Sequence, residues 1–428
     1  LPACGADPVG GVATGGTSSQ AGAAGGQAAS GSGGVAGSAV AQGGAESGAA
    51  GVAGAAGGAG SGGVANVAGA GGTAGTGGVA GSAGAGGAPV VVLDDALRLR
   101  VVAGVVPLQA WYNTNTGLFD ENDWWTSGNQ LTTIIDYTRE TSDMQYVADI
   151  DNTFHKNKAS KFSRYGFFDD DGWWAIVWIK AYDLTQEPAY LEMAKTIFKR
   201  MSDSWDTQCN GGIYWRGNPK DKKNAISNSL FMKVAAGLHL RTPADTGPGS
   251  YLDWAQRTWT WFKGSGMLRS DKLVIDTLDG LTTCKAAGGV FSYNQGVLVG
   301  ALVELAEGTG DATLLDEAGA IARAAMPSPS LNHADGIMVE PCGIDTKDCW
   351  QFKGVFFRHL LELYRARPAK DIQAYTRQQS DQIWNVARDA QNRFGYHWQV
   401  AFDGASARRQ SSALDALLTA YAVSSPLP

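Results

Sequence analysis

The sequence predicts an all-α domain, six helical hairpins closed into an (α/α)6 toroid, behind a disordered tether rich in Gly, Ala and Ser. Three observations predict it. The composition changes abruptly near residue 89. Beyond about residue 92, apolar residues recur three and four apart, as on one face of a helix. Periodic segments of this kind number about twelve, which is what six hairpins need.

Residues 1–88 come first. They are almost wholly Gly, Ala, Ser, Thr and Val, with no aromatic side chain and no Lys or Arg. Asp7 and Glu46 are the only charges there. Such a segment cannot bury enough apolar surface to offset its ordering entropy, so a flexible linker is expected. The opening Leu1-Pro2-Ala3-Cys4-Gly5 resembles a bacterial lipobox whose signal peptide is missing from this chain. On that reading Cys4 carries the lipid, the Gly-rich tract is the tether, and the protein works at a cell surface or outside it. No apolar run approaches the ~18 residues that span a bilayer, so the anchor at Cys4 is the one membrane contact expected.

Residues 89–428 carry all 34 Lys and Arg, enough chain for one large core. A net charge of −7 argues against nucleic acid as a partner. Helical segments begin near residues 93, 124, 142, 170, 187, 222, 250, 291, 311, 350, 370 and 410. Leu191, Ala194, Phe198 and Met201 share one face, as do Leu298, Leu302 and Leu305, and Phe356, Leu360, Leu363 and Tyr364. Alternating strand-like runs are scarce; Gly212-Ile213-Tyr214-Trp215 is one. An open α-solenoid is the rival architecture, but no fixed-period repeat is visible. In a toroid, the loops at one end of the inner helices would line a cleft.

Cys209, Cys284, Cys342 and Cys349 are an even set, suited to two disulfides in an oxidising compartment. Cys342 and Cys349 flank a short loop, which favours that pair and leaves Cys209 with Cys284, although spacing does not fix the connectivity. Their spacing fits no zinc motif, and the five histidines are scattered. No metal or organic cofactor is expected, and a monomer is.

The unusual residues cluster at predicted helix starts. Phe168-Asp169-Asp170-Asp171-Gly172-Trp173-Trp174 runs three carboxylates into two indoles. Carboxylates move protons or attack an anomeric carbon, and flat rings stack on sugars. The competing reading is capping, because Asp is favoured in a first helical turn. Capping accounts for one or two of the three carboxylates and not for the indoles beside them. Neighbouring residues at a helix start diverge by about 100°. Their carboxyls can still flank one bond, near the ~5–5.5 Å of a retaining pair. Trp215 and Arg216 follow a Gly pair, and Asn224 and Asn228 lie four apart on one face. Tyr293, Asn294 and Gln295 open another helix, Lys353 follows Gln351-Phe352, and Trp124-Trp125 stand beside amides. Each suits a sugar-binding cleft; each also suits a cap or core packing.

Taken together these residues resemble glycoside hydrolase family 76, the endo-α-1,6-mannanases. The resemblance runs from about Ala110 to the C-terminus. It rests on Trp111-Tyr112-Asn113 with Thr116-Gly117-Leu118, Trp124-Trp125, Asp169 to Trp174 and Ala181-Tyr182-Asp183-Leu184-Thr185. Further along come Cys209 to Trp215, Lys223 to Asn228, Tyr293-Asn294-Gln295-Gly296 and Phe352-Lys353-Gly354. It implies an (α/α)6 barrel, Asp169 as nucleophile and Asp170 as acid/base in a retaining double displacement. It leaves Asp171 outside the pair. The implied partner is α-mannan or a related mannose-bearing oligosaccharide, contacted by Trp124, Trp125, Trp173, Trp174, Trp215, Asn224, Asn228, Tyr293, Asn294, Gln295 and Lys353. Transglycosylation between wall glycans, a non-catalytic glycan-binding role, and other (α/α)6 enzymes are the alternatives. The last group commonly separates its carboxylates in sequence or uses a catalytic His, and neither pattern stands out.

Overall fold

The computed structural model describes residues 94–119 and 124–425. The Gly-rich tract, Cys4 and the Asn122-Asp123 pair lie outside the described residues. Within them, an inner ring is built from α2 (Trp124–Thr141), α4 (Phe168–Thr185), α6 (Ala225–Arg241), α9 (Ser292–Thr309), α11 (Cys349–Ala366) and α13 (Ala407–Ala422). Each inner helix packs on the next, and α13 returns to α2, so the ring closes. Outside it lie α1 (Asp95–Gln109), α3 (Val147–Asn157), α5 (Pro188–Ser202), α7 (Tyr251–Gly264), α10 (Thr313–Ala325) and α12 (Lys370–Asn385). A four-residue helix, α8 (Gly280–Thr283), separates β1 (Ile275–Asp279) from β2 (Lys285–Val290), which pair antiparallel. This is the expected (α/α)6 toroid, and its closure rules out the open solenoid.

Burial explains why the two rings read differently in sequence. Outer helices carry one apolar stripe; on α5 it is Tyr190, Leu191, Ala194, Ile197, Phe198 and Met201. Inner helices meet neighbours on every side. α4 is buried without a break from Phe168 to Ala181. Two inner crossings depend on a missing side chain. A Cβ on Gly296 would lie 2.6 Å from Phe356 Cα, and one on Gly354 would lie 2.5 Å from Ser412 Cα.

Local chemistry sets the helix ends. Glu187 caps α5 ahead of Pro188 in the first turn, Ser250 caps α7, and Ser406 caps α13. α3 begins five residues later than its apolar spacing suggests. Ser142 takes a left-handed φ of 59° and closes the preceding helix. Asp143 then accepts from the Tyr137 hydroxyl (2.6 Å) and the Gln145 amide (3.0 Å), fixing a turn where the spacing alone reads helix.

The two ends of the barrel differ. Toward the C-termini of the inner helices, ion pairs line a cavity of about 320 Å³. Lys180 meets Asp136 at 2.8 Å and Lys233 meets Glu362 at 2.8 Å. Toward the N-termini stand the loops with the unusual residues. The structure pairs Cys209 with Cys284, and Cys342 with Cys349, the first residue of α11, both at that end.

Candidate active site

The first turn of α4 carries Asp169, Asp170 and Asp171 at the positive end of the macrodipole. All three are buried, Asp170 the least so at 6 % exposure. They part company at once. Asp169 Oδ2 accepts from the indole Nε1 of Trp215 at 3.0 Å, and its Oδ1 accepts from the Asp170 amide at 3.2 Å. Asp171 turns outward instead. Its Oδ2 accepts from Arg200 Nε on α5 at 2.7 Å. Burial pushes the Asp171 carboxyl up, and the Arg200 guanidinium opposes this.

Trp215 arrives on a loop that permits nothing bulkier at its start. Gly212 has φ of 83°, and a Cβ there would lie 2.5 Å from the Trp261 ring. Asn228 then clamps Ile213 at both ends, accepting from its amide (2.8 Å) and donating to its carbonyl (3.0 Å). Phe167 and Arg216 form an antiparallel bridge, so the loop runs beside the residues leading into Asp169.

Several residues expected at sugars serve the backbone instead. Asn224 caps α6 by accepting from the Ser227 amide. Asn228 is spent on Ile213. Gln295 clamps Val274 in the same way, accepting from its amide at 2.8 Å and donating to its carbonyl at 2.9 Å. Lys353 is 1 % exposed and donates to the Tyr396 carbonyl, with its ammonium 4.1 Å from the centre of the Trp398 ring. Burial lowers its pKa to about 7, and burial raises that of nearby Glu340 to about 7. The sequence alone allowed amides and a lysine for sugar hydroxyls; the geometry gives their hydrogen bonds to main chain.

The tryptophans divide as well. Trp174 is fully buried, tilted against Trp124 at 4.8 Å and stacked on Trp178 at 5.9 Å. Trp124 and Trp174 are therefore core, not platforms. Trp173 stacks on Trp125 at 5.9 Å, Trp125 meets Phe352 at 6.2 Å, and Phe352 stacks on Tyr293 at 3.8 Å. These four rings come from α4, α2, α11 and α9. They cross the barrel axis as an aromatic floor under the helix N-termini.

A third acidic side chain joins the site that sequence reasoning missed. Asp276, on β1, is 7 % exposed. It accepts from the Tyr293 hydroxyl at 3.2 Å and from Asn294 Nδ2 at 3.0 Å, and burial pushes its carboxyl up. Lys222 opposes that rise with its charge, and the same ammonium sits 3.8 Å from the Trp215 ring centre. Lys222 thus lies within electrostatic reach of both Asp276 and Trp215. An acid directly after the apolar run Leu273-Val274-Ile275 was the available signal. Among the described residues, no group of three His, Cys, Asp or Glu side chains is arranged to hold a metal.

A closed helical ring with an aromatic floor and a buried carboxylate pair at its mouth has the form of a glycan-processing enzyme. Comparison with known proteins gives the family: the chain belongs to glycosyl hydrolase family 76, whose model matches residues 106–427. It is 29% identical over 202 residues to the mannan endo-1,6-α-mannosidase DCW1 of Candida albicans, covering 41% of this chain and 43% of that protein. It is 27% identical over 225 residues to DCW1 of Saccharomyces cerevisiae, covering 46% and 48%. The chain thus spans a little under half the length of these curated relatives. In structure it resembles the GH76A α-1,6-mannanase of Salegentibacter sp. HEL1_6, with TM-score 0.68, 21% identity, and coverage of 76% of this chain and 98% of that one. An inactive variant of that mannanase with two adjacent aspartates replaced, in complex with α-1,6-mannotetrose, gives TM-score 0.69 at 20% identity, covering 76% and 98%.

Proposed function

We propose that this chain hydrolyses α-1,6-mannosidic linkages within mannan or related mannose-bearing glycans, with retention of configuration. The observation that carries the reading is the parting of the three aspartates. Asp169 and Asp170 stay together at the mouth of the barrel, while Asp171 is committed to Arg200. Asp170 protonates the glycosidic oxygen as Asp169 attacks the anomeric carbon. Water, deprotonated by Asp170, then releases the mannosyl-enzyme. Adjacent aspartates on one helical turn suit this short-range pair better than the ~6.5–9.5 Å gap an inverting enzyme keeps for its water.

The mannan-acting names of the matched relatives and the mannotetrose complex support the substrate. Residues 89–428 form the catalytic domain in this reading, working as a monomer, and residues 1–88 are its linker. The two disulfides support work outside the cytoplasm, where Cys4 would anchor it. Incubation with linear α-1,6-mannan, with α-1,2- and α-1,3-mannans as controls, and size resolution of the products tests it. Internal cleavage of the α-1,6 polymer alone is expected. Cleavage only of the other linkages would overturn the substrate.

A further inference from the structure

From the geometry around Asp169 we infer that Trp215 is a positioning residue for the nucleophile rather than a stacking platform for sugar. The inference rests on the reading of Asp169 as nucleophile. Three features of the structure point the same way.

The first is the contact. The indole N–H of Trp215 donates to Asp169 Oδ2 at 3.0 Å, between two buried side chains. An N–H donor stabilises the ionised carboxylate over the acid. A nucleophile needs that charge, and needs its other oxygen aimed at the anomeric carbon. The second is the state of the ring. Trp215 is 7 % exposed. The Lys222 ammonium lies 3.8 Å from its centre, the Arg216 guanidinium 5.4 Å, and the Phe167 ring 4.7 Å. A pyranose stacks on an open face, and this ring has two cations and a phenyl group against it. The third is the mounting. The Trp215 carbonyl accepts from the Phe168 amide at 2.8 Å, one residue before Asp169 in the chain. The Trp215 amide donates to the Lys222 carbonyl at 2.9 Å. The indole and the carboxylate are therefore fixed to one frame, and the Asn228 clamp on Ile213 holds that frame from α6.

The test compares Trp215→Phe with a protein carrying 3-benzothienylalanine at position 215 alone. The second side chain keeps the bicyclic shape and lacks the N–H, so it reads the hydrogen bond even if the phenylalanine variant folds poorly. On α-1,6-mannan, kcat should fall about 10- to 100-fold, as expected for loss of a hydrogen bond to a charged group, with KM little changed. The acid limb of kcat/KM should move to higher pH, because the carboxylate has lost a donor that favoured its charge. An unchanged kcat and pH profile in the benzothienyl protein would overturn the inference. So would a raised KM with normal kcat, the mark of a binding platform. Asp169→Asn, measured alongside, separates the two levels. If it is inactive while Trp215 can be replaced freely, positioning alone is wrong. If it is active, the nucleophile assignment falls and this inference with it.

Discussion

Three adjacent carboxylates in one helical turn are chemically alike in sequence and unlike in place. One accepts from an indole, one is the most exposed of the three, and one is held by a guanidinium 2.7 Å away. The difference sets what each substitution should do. Asp169→Asn and Asp170→Asn should each lower turnover on α-1,6-mannan by at least about a hundredfold, the low end for a positioned acid or base, with thermal stability nearly kept. Asp171→Asn should leave turnover near normal and cost about 1–3 kcal/mol of stability, as lost hydrogen bonds to charged groups do. Turnover assays and melting curves on the three variants check this. An inactive Asp171→Asn beside an active Asp169→Asn would mean that the catalytic pair is Asp170 with Asp171. The same pair predicts stereochemistry. Attack by Asp169 followed by water inverts the anomeric carbon twice, so the first product should be the α-anomer. Proton NMR of the anomeric signals in the first minutes, before mutarotation, reads it. Early β-mannose ends would replace the covalent step with direct attack by water.

At the scale of elements, one design recurs. The fourth residue of α6, α9 and α13 is an amide: Asn228, Gln295 and Gln410. Asn228 and Gln295 clamp Ile213 and Val274 at both amide and carbonyl, while Gln410 accepts from the Phe394 amide and donates to the carbonyls of Gly104 and Asn392. Asp171 is the fourth residue of α4, and it too is spent on a neighbouring element. The positions just before it, held by Asp169 and Asp170 in α4 and by Tyr293 and Asn294 in α9, carry candidate groups of the proposed site. This explains what could be read from the chain. Helix positions and the carboxylate pair were legible because they depend on local spacing and composition. The amide roles were not, because a clamp and a sugar contact call for the same side chain, and only the loop's return decides between them. The unequal intervals between clamps also hide the repeat. Asp276 was missed because its partners, Tyr293 and Asn294, reach it from another element.

Buried polar groups inside the inner ring bring their own pH dependence. His359 on α11 is fully buried, and burial holds its pKa down to about 4, against the pull of Glu362, whose carboxylate lies 3.0 Å from Nδ1. The unfolded chain protonates this ring near the ordinary imidazole value of 6.5, while the folded chain does so only near 4. The unfolded state therefore binds more protons in that window, and stability falls as pH drops from 6.5 toward 4. A depression of that size corresponds to about 3 kcal/mol. Glu340, raised to about 7, slopes the opposite way from 4.5 to 7, so the total curve conceals the His359 contribution. The difference between wild type and His359→Gln isolates it. Urea unfolding at pH 4, 5, 6 and 7 should show the wild-type advantage shrinking as pH falls. A constant difference would mean that the ring takes up its proton at the same pH in the folded and unfolded chain.

The whole molecule joins a barrel that closes on itself to 88 residues with no aromatic, Lys or Arg side chain. The described residues show the closure directly: α13 meets both α11 and α2, so every inner helix has a neighbour on each side. Its floor is aromatic, its far end holds a cavity lined by ion pairs, and two disulfides cross-link the end that carries the site. A fold of that kind draws its stability from contacts among residues 94–425 and has no evident need of the first 88. On the proposed reading of residues 1–88 as a linker, a Gly- and Ala-rich segment of that length would add reach without adding a core. Removal of residues 1–88 should therefore leave the melting temperature and kcat/KM on soluble α-1,6-mannan nearly unchanged, as measured by calorimetry and by reducing-end release. Activity on glycan held in an intact cell wall should change instead, because on the proposed reading residues 1–88 would set how far the barrel reaches. A fall of several degrees in melting temperature on truncation would show that the tract packs on the barrel and would end its reading as a linker.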